Sequence, residues 1–247
     1  LFIVPLEGGT PLDITPGDFD TPPIALGSNA DYAFSPDGNE ICFVQNRDPE
    51  FKLSLGTNND LFLTSLKGGE IKQITSNKAN DNFPLYSPDG QYIAYRAMAR
   101  PGFEADKYSL ILYDRTNQKT LNLTEKLDYS INEMVWAADS SALYFSTEEK
   151  GRSALFKVSL KNNKIEKILE GQTISSPSLL PDGKKMIFLR QAINHPADIY
   201  SFDLETKKIT QLTDINGELL AKLKMNPAEE FWFEGAGKEK VHGFLLK

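Results

Sequence analysis

Cysteine is almost absent. Cys42 is the only one in 247 residues, so the chain has no intrachain disulfide and no cysteine-based metal cluster. It falls inside a strand-like run, where a lone thiol behaves as a small buried hydrophobe. The compartment is left open by this. No run of about 18 apolar residues occurs, so no transmembrane helix and no membrane partner are expected. The first residues, LFIVPLEGGT, lack both Met and a charged leader and do not read as a signal peptide.

Histidine is scarce as well, with two in the chain. His195 precedes Pro196 in an expected loop, His242 lies in a strand near the end, and neither sits in an H-x-x-x-H spacing. No D-x-D-x-D-G calcium loop is present. Asn58-Asn59-Asp60 and Asn80-Asp81-Asn82 read as turn chemistry, and Gly8-Gly9 and Gly68-Gly69 as hairpin turns. Neither a metal nor a cofactor is therefore expected. A hydrolase nucleophile needs the sharp G-x-S-x-G turn. The nearest string is GRSAL at 151–155, which lacks the second glycine and has no helix after it. Ser153 reads as an ordinary turn or strand-start residue, and no catalytic residue is expected. The string NLT at 122–124 matches a glycosylation sequon, but it closes a repeated strand phrase that explains it.

Positive charge is in deficit. Lys and Arg total 27 against 34 Asp and Glu, for a net charge of −7. That balance argues against a nucleic-acid partner. Apolar residues at 40% and charged residues at 25% are ordinary for a soluble globular domain, and 15 Phe with 9 Tyr suit strands.

What the chain has in plenty is repetition. FSPDGNEICFV at 34–44 returns as YSPDGQYIAYR at 86–96, and more loosely as WAADSSALYF at 136–145 and LLPDGKKMIF at 179–188. Pro36 pre-sets φ at the second turn position, Asp37 suits the third, and Gly38 takes the fourth. The turn aspartates Asp37, Asp89, Asp139 and Asp182 are spaced 52, 50 and 43 residues apart. A second phrase alternates with the first: DLFLTSLKGGEIKQIT from Asp60, SLILYDRTNQKTLNLT from Ser109, ALFKVSLKNNKIEKIL from Ala154 and DIYSFDLETKKITQLT from Asp198. Each unit thus carries two hairpins. Four-stranded units of about 40–50 residues are the signature of β-propeller blades of the WD40-like or PD40 type. A β-sandwich does not repeat two coupled phrases in fixed order.

LFIVPLEGGTPLDIT matches the second phrase, so the chain is expected to open in mid-blade. Four full blades should follow, starting near Ala30, Phe83, Ile131 and Ile174. The expected fold is all-β: four full blades plus a half blade and a C-terminal hairpin. A partial propeller is expected over 1–225 and a junction hairpin over 226–247. Strands are expected around Leu220–Met225, Glu230–Glu234 and Val241–Leu246. Either the last strands close a five-blade ring with the first hairpin, or the arc stays open. Open strand edges would favour closure, dimerisation or a contact with another edge.

Several stretches resemble the propeller region of prolyl-oligopeptidase-type serine peptidases, in the dipeptidyl-peptidase V and acylaminoacyl-peptidase-like branch. They are RPGFEADK at 100–107 followed by SLILYDR, then DSSALYFSTEEKGRSAL at 139–155, then PAEEFWF at 227–233 followed by VHGFLLK. The S-P-D-G hairpins alone are shared with TolB-like propellers. The resemblance implies a propeller joined to an α/β-hydrolase domain with a Ser-Asp-His triad. The 226–247 hairpin would be the junction, and the catalytic domain would lie outside this chain. It also implies a short peptide as substrate, limited in size by the propeller, which holds the peptide's free or blocked amino terminus. The chain alone is expected to be inactive. A TolB-like or WD-type interaction scaffold is the alternative. A propeller lyase or glycosidase ranks last, because it needs convergent His, Arg or carboxylates on the innermost strands, which look mostly apolar and small.

The candidate substrate-binding segment is AMARPGFEADK at 97–107, a long insertion between two strands of one blade. Arg100 can fork onto a carbonyl or carboxylate. Glu104 and Asp106 can pair with an α-ammonium, and Phe103 can cover an apolar side chain. The competing reading is an internal salt-bridge network that shapes the loop. RDPEFKLSLGT at 47–57, at the equivalent place one blade earlier, is the second candidate.

Overall fold

In a computed structural model, the structure describes residues 1–28, 30–49 and 56–247. The chain divides into two compact units, Leu1–Ile131 and Asn132–Lys247.

The first unit opens with the antiparallel pair β1 (Phe2–Ile3) and β2 (Leu12–Asp13). Two four-stranded antiparallel meanders follow. One is β3 (Tyr32–Phe34), β4 (Glu40–Gln45), β5 (Asp60–Ser65) and β6 (Lys72–Gln73). The other is β7 (Asp81–Tyr86), β8 (Tyr92–Ala97), β9 (Ser109–Asp114) and β10 (Lys119–Asn122). In the second unit β11 (Ile131–Trp136), β12 (Ala142–Glu149) and β13 (Arg152–Ser159) run into β14 (Ile165–Leu179). β14 does two jobs: Ile165 to Gln172 pairs with β13, and Thr173 to Leu179 pairs with β15 (Lys185–Ala192). β16 (His195–Asp203) and β17 (Ile209–Gln211) complete the fourth meander. The meanders thus begin at Tyr32, Asp81, Ile131 and Thr173, close to the expected starts.

The turn phrase behaves as its residues dictate. Gly38, Gly90 and Gly183 hold φ of 69°, 72° and 67°, in the left-handed region that glycine enters without a Cβ clash. Ser140 takes the same place in the third phrase at φ 60°. Asp37 Oδ1 accepts the Ser35 hydroxyl at 2.6 Å and the Asn39 amide at 3.1 Å, and Asp89 repeats this with Ser87 and Gln91.

Period-two alternation gives each sheet two apolar faces. On β4, Ile41 and Phe43 face one way and join Phe62 and Ile14, so the N-terminal pair covers that face. Cys42 and Val44 face the other way and meet Leu61 and Leu63 of their own sheet and Tyr86, Ile93 and Tyr95 of the next. In the second unit Tyr144 and Leu155 likewise meet Met186, Phe188 and Phe202 of the following meander. Each fully buried side chain of this size contributes about 2 kcal/mol, so a meander is stable only when a neighbour lies on its face.

Two expectations need correction. Gly217–Leu220 forms a helical turn, α1, where a strand near Leu220–Met225 was expected. Glu218, Leu219, Leu220 and Ala221 are strong helix formers with no β-branched residue among them. His195 opens β16 instead of lying in a loop, and pairs with Ala192. The terminal hairpin forms as β18 (Glu229–Glu234) and β19 (Lys240–Leu245). Among the described residues no helix is long and apolar enough to cross a membrane.

Candidate functional site

The long insertion leaves β8 at Ala97 and returns at Ser109. Met98, buried, anchors its start by donating its amide to the Asn80 carbonyl at 2.9 Å. The centre of the loop is Asp106. Its Oδ2 accepts the Ala99 and Arg100 amides at 2.8 Å each, and its Oδ1 accepts Arg100 Nε at 2.8 Å. Burial would push this carboxyl up, but the hydrogen bonds from Ala99 and Arg100 prevail and hold it at about 2. The Arg100 guanidinium also lies 4.0 Å from the centre of the Phe103 ring. Gly102, at φ 72°, donates its amide to Thr57 Oγ1 at 3.1 Å, which ties this insertion to the preceding one. Lys107 Nζ donates to the Leu127 carbonyl at 2.7 Å.

Of the four expected site residues, Arg100, Phe103 and Asp106 are brought together into one braced loop, so the internal ion pair is formed. Glu104 stands apart: it is exposed and has no ion-pair partner among the described residues. Phe103 keeps 43% of its surface exposed beside it. The loop therefore presents a carboxylate and an aromatic face beside its Arg100–Asp106 brace.

Beneath the loop lies a polar network that the sequence reading assigned to turns. Asn59, Asn80, Asp81 and Asn82 are all buried, and Asn59 bridges Asn80 in parallel. Asn59 Nδ2 donates to Asn80 Oδ1 at 2.9 Å, and Asn80 Nδ2 donates to the Tyr108 hydroxyl at 2.7 Å. Arg96 donates through Nε to Asn82 Oδ1 at 3.1 Å and lies between the Phe83 and Tyr108 rings, 4.8 and 4.7 Å from their centres. Phe83 sits in a bulge of β7 at φ 57°, its amide given to Asp31 Oδ1 at 3.1 Å. Burial raises the Asp31 carboxyl, against the hydrogen bonds from Phe83 and Ser28. Asp81 is fully buried and its carboxyl is pushed up to about 8 by burial, with Asp60 adding to the rise and the Thr75 and Asn77 side chains opposing it. The start of β7 is thus more polar and more buried than a turn would be. The signal in the sequence was two Asn/Asp triplets, each at the start of a strand.

The second candidate segment, 47–57, falls mostly on residues 50–55, outside the described residues. At its near end the Arg47 guanidinium lies 4.3 Å from the Phe62 ring centre and 5.2 Å from that of Phe19. Ser153 is a strand residue of β13. Its hydroxyl donates to the Ile174 carbonyl at 3.2 Å and accepts the Ile174 amide at 3.1 Å, so it serves the sheet. His242 stacks on Trp232 with ring centres 4.2 Å apart.

No profile of a known protein family matches the chain. Individual proteins do. The chain is 30% identical over 236 residues to dipeptidyl-peptidase 5 of Porphyromonas endodontalis, covering 95% of this chain and 34% of that protein. It is 28% identical over 225 residues to dipeptidyl-peptidase 5 of Porphyromonas gingivalis, covering 90% of this chain and 33% of that one. The chain thus spans about a third of the length of the curated relatives it matches. Among solved structures, the acylaminoacyl peptidase of Pyrococcus horikoshii superposes with TM-score 0.67 at 19% identity, over 87% of this chain and 32% of that one. A putative TolB of Agrobacterium tumefaciens gives TM-score 0.62 at 20% identity, over 86% of this chain and 73% of that one. These likenesses show the β-propeller fold alone. Over nearly its whole length the chain is thus similar to a segment of dipeptidyl-peptidase 5, on a β-propeller fold shared with TolB and acylaminoacyl peptidase.

Proposed function

We propose that this chain is the substrate-facing, non-catalytic propeller of a dipeptidyl-type serine peptidase, which limits access and holds the peptide's amino terminus. Hydrolysis is assigned to an α/β-hydrolase domain outside the chain, reached through the β18–β19 hairpin. Two things support that junction. The hairpin leaves Phe231, Trp232 and Phe233 about half exposed, and the relatives extend well beyond the matched region. The observation that carries the reading is the braced 97–107 loop, with Asp106 committed to Arg100 and Glu104 uncommitted beside exposed Phe103. An α-ammonium is charged below its pKa of about 8 and pairs with such a carboxylate. Phe103 then covers the first side chain of the peptide. This favours a free amino terminus over a blocked one.

The test is steady-state hydrolysis of a dipeptidyl chromogenic substrate by the complete polypeptide that carries this chain. Glu104→Gln is expected to raise KM about tenfold with kcat within about twofold, the mark of a contact equal in ground and transition states. A substrate with an acetylated amine should lose the same factor in the parent protein and nothing more in the variant. Unchanged KM for the free-amine substrate overturns the assignment.

A further inference from the structure

One set of ligating side chains lies outside the site described above. His195, at the start of β16, has Nδ1 2.8 Å from the Pro196 carbonyl oxygen and 3.9 Å from Asp198 Oδ2. The Asp198 side chain is fully buried. Its Oδ1 accepts the Thr213 hydroxyl at 2.6 Å and the Ile215 amide at 3.2 Å. Its Oδ2 is buried and has no hydrogen-bond partner among the described residues. Asp214 adds a second carboxylate, so that one ligand atom from each of His195, Asp198 and Asp214 lies within 4.8 Å of the others.

Among the described residues, Asp60, at the equivalent place in the first full blade, has no such buried unpartnered oxygen. The same Asp–Thr pair in the first full blade is Asp60 with Thr75, where the Thr75 hydroxyl donates to Asp60 Oδ1 at 2.8 Å. Gln211, two residues before Thr213, donates its Nε2 to the Thr213 carbonyl at 2.8 Å and gives nothing to Asp198. Asp198 Oδ2 is therefore released toward His195 and Asp214. The Thr213 hydroxyl and the Ile215 amide both go to Oδ1, which leaves Oδ2 without a donor. An anionic oxygen shut away from water needs a cation. The imidazole, 3.9 Å away with Nδ1 turned to the Pro196 carbonyl, does not hydrogen-bond it.

We infer that His195, Asp198 and Asp214 form a binding site for a divalent first-row cation, with Zn²⁺ the ion best matched. One imidazole and two carboxylates are zinc ligands, and metal–ligand distances of about 2.0–2.2 Å set ligand atoms up to about 4.4 Å apart. The cluster needs to contract by only a few tenths of an ångström to reach this. Exposed Asp214 leaves an open side for water. The ion clips the start of β16 to the chain that leaves β17.

The test is isothermal titration of the chain with ZnCl₂, read alongside thermal unfolding. One ion per chain is expected, with a rise in Tm that follows ligand concentration. His195→Gln and Asp214→Asn, both at accessible positions, should each weaken binding at least about tenfold. A Cβ at Gly217 would meet Asp214 Oδ2 at 2.2 Å, so Gly217→Ala should displace that carboxylate and weaken binding too. His242→Gln, the other histidine, should leave it unchanged and serves as the control for adventitious imidazole. Absence of saturable binding up to about 1 mM Zn²⁺, far weaker than structural zinc sites hold, overturns the site. So does binding that either His195→Gln or Asp214→Asn leaves intact.

Discussion

Replacing Asp81 by Asn should stabilise the protein, and by more as pH rises. Asp81 is 0% exposed and its carboxyl is raised to about 8, chiefly by burial. An unfolded aspartate titrates near 3.9, so the folded state retains a proton that the unfolded state gives up. For a group with a raised folded value, the stabilisation is complete below about pH 4 and falls as pH climbs toward about 8. The slope between is about 1.4 kcal/mol per pH unit, which amounts to about 4 kcal/mol from pH 5 to pH 8. Asn carries no such titration and keeps an oxygen for the Asn77 amide, which donates to Asp81 Oδ1. The other groups facing this site are Asp60 and the Tyr95 hydroxyl, both raised by burial, with Lys78 and Asp48 near Asp60. Asp60 and Tyr95 both interact with Asp81, so the difference carries that coupling together with the Asp81 titration. Urea unfolding of the parent and Asp81→Asn at pH 5 and pH 8 measures it. A stability difference that stays constant to within about 1 kcal/mol across that range refutes the reasoning.

Two further substitutions probe the packing. Phe43 is fully buried and stacks on Phe62 with centres 5.8 Å apart, so Phe43→Ala should cost about 3–5 kcal/mol in chemical denaturation and loosen the N-terminal strand pair with it. Thr75→Val keeps the shape but strips a hydroxyl that accepts the Leu61 amide at 2.9 Å and donates to Asp60 at 2.8 Å. A loss of about 1–3 kcal/mol is expected, and none at all would mean the pair is incidental.

The blades were legible because their turns are written in backbone chemistry. Proline, aspartate and glycine at fixed positions mark each hairpin, and period-two apolar residues such as Ile41 to Val44 mark the strands between. The Asn/Asp triplets were misread because a polar side chain's burial depends on what lies over it. Asn80 and Asn82 are covered by Tyr108, twenty-six or more residues on. The 97–107 loop was visible as an insertion, but nothing in the string tells which acid Arg100 takes. Asp106 and Glu104 are equally placed in sequence, and the fold gives Arg100 to Asp106. Nor could spacing show that Gln211 gives its side-chain amide to the Thr213 carbonyl.

The central claim, that Phe103 and Glu104 receive a peptide's amino terminus, is tested most directly by photocrosslinking. A dipeptide substrate analogue with a photoactivatable group on its first side chain is irradiated with the complete polypeptide, and adducts are mapped by mass spectrometry. Adducts should concentrate within 97–107, centred on Phe103, and disappear under excess free-amine dipeptide. Competed adducts confined to other segments, with 97–107 unmodified, would contradict the account.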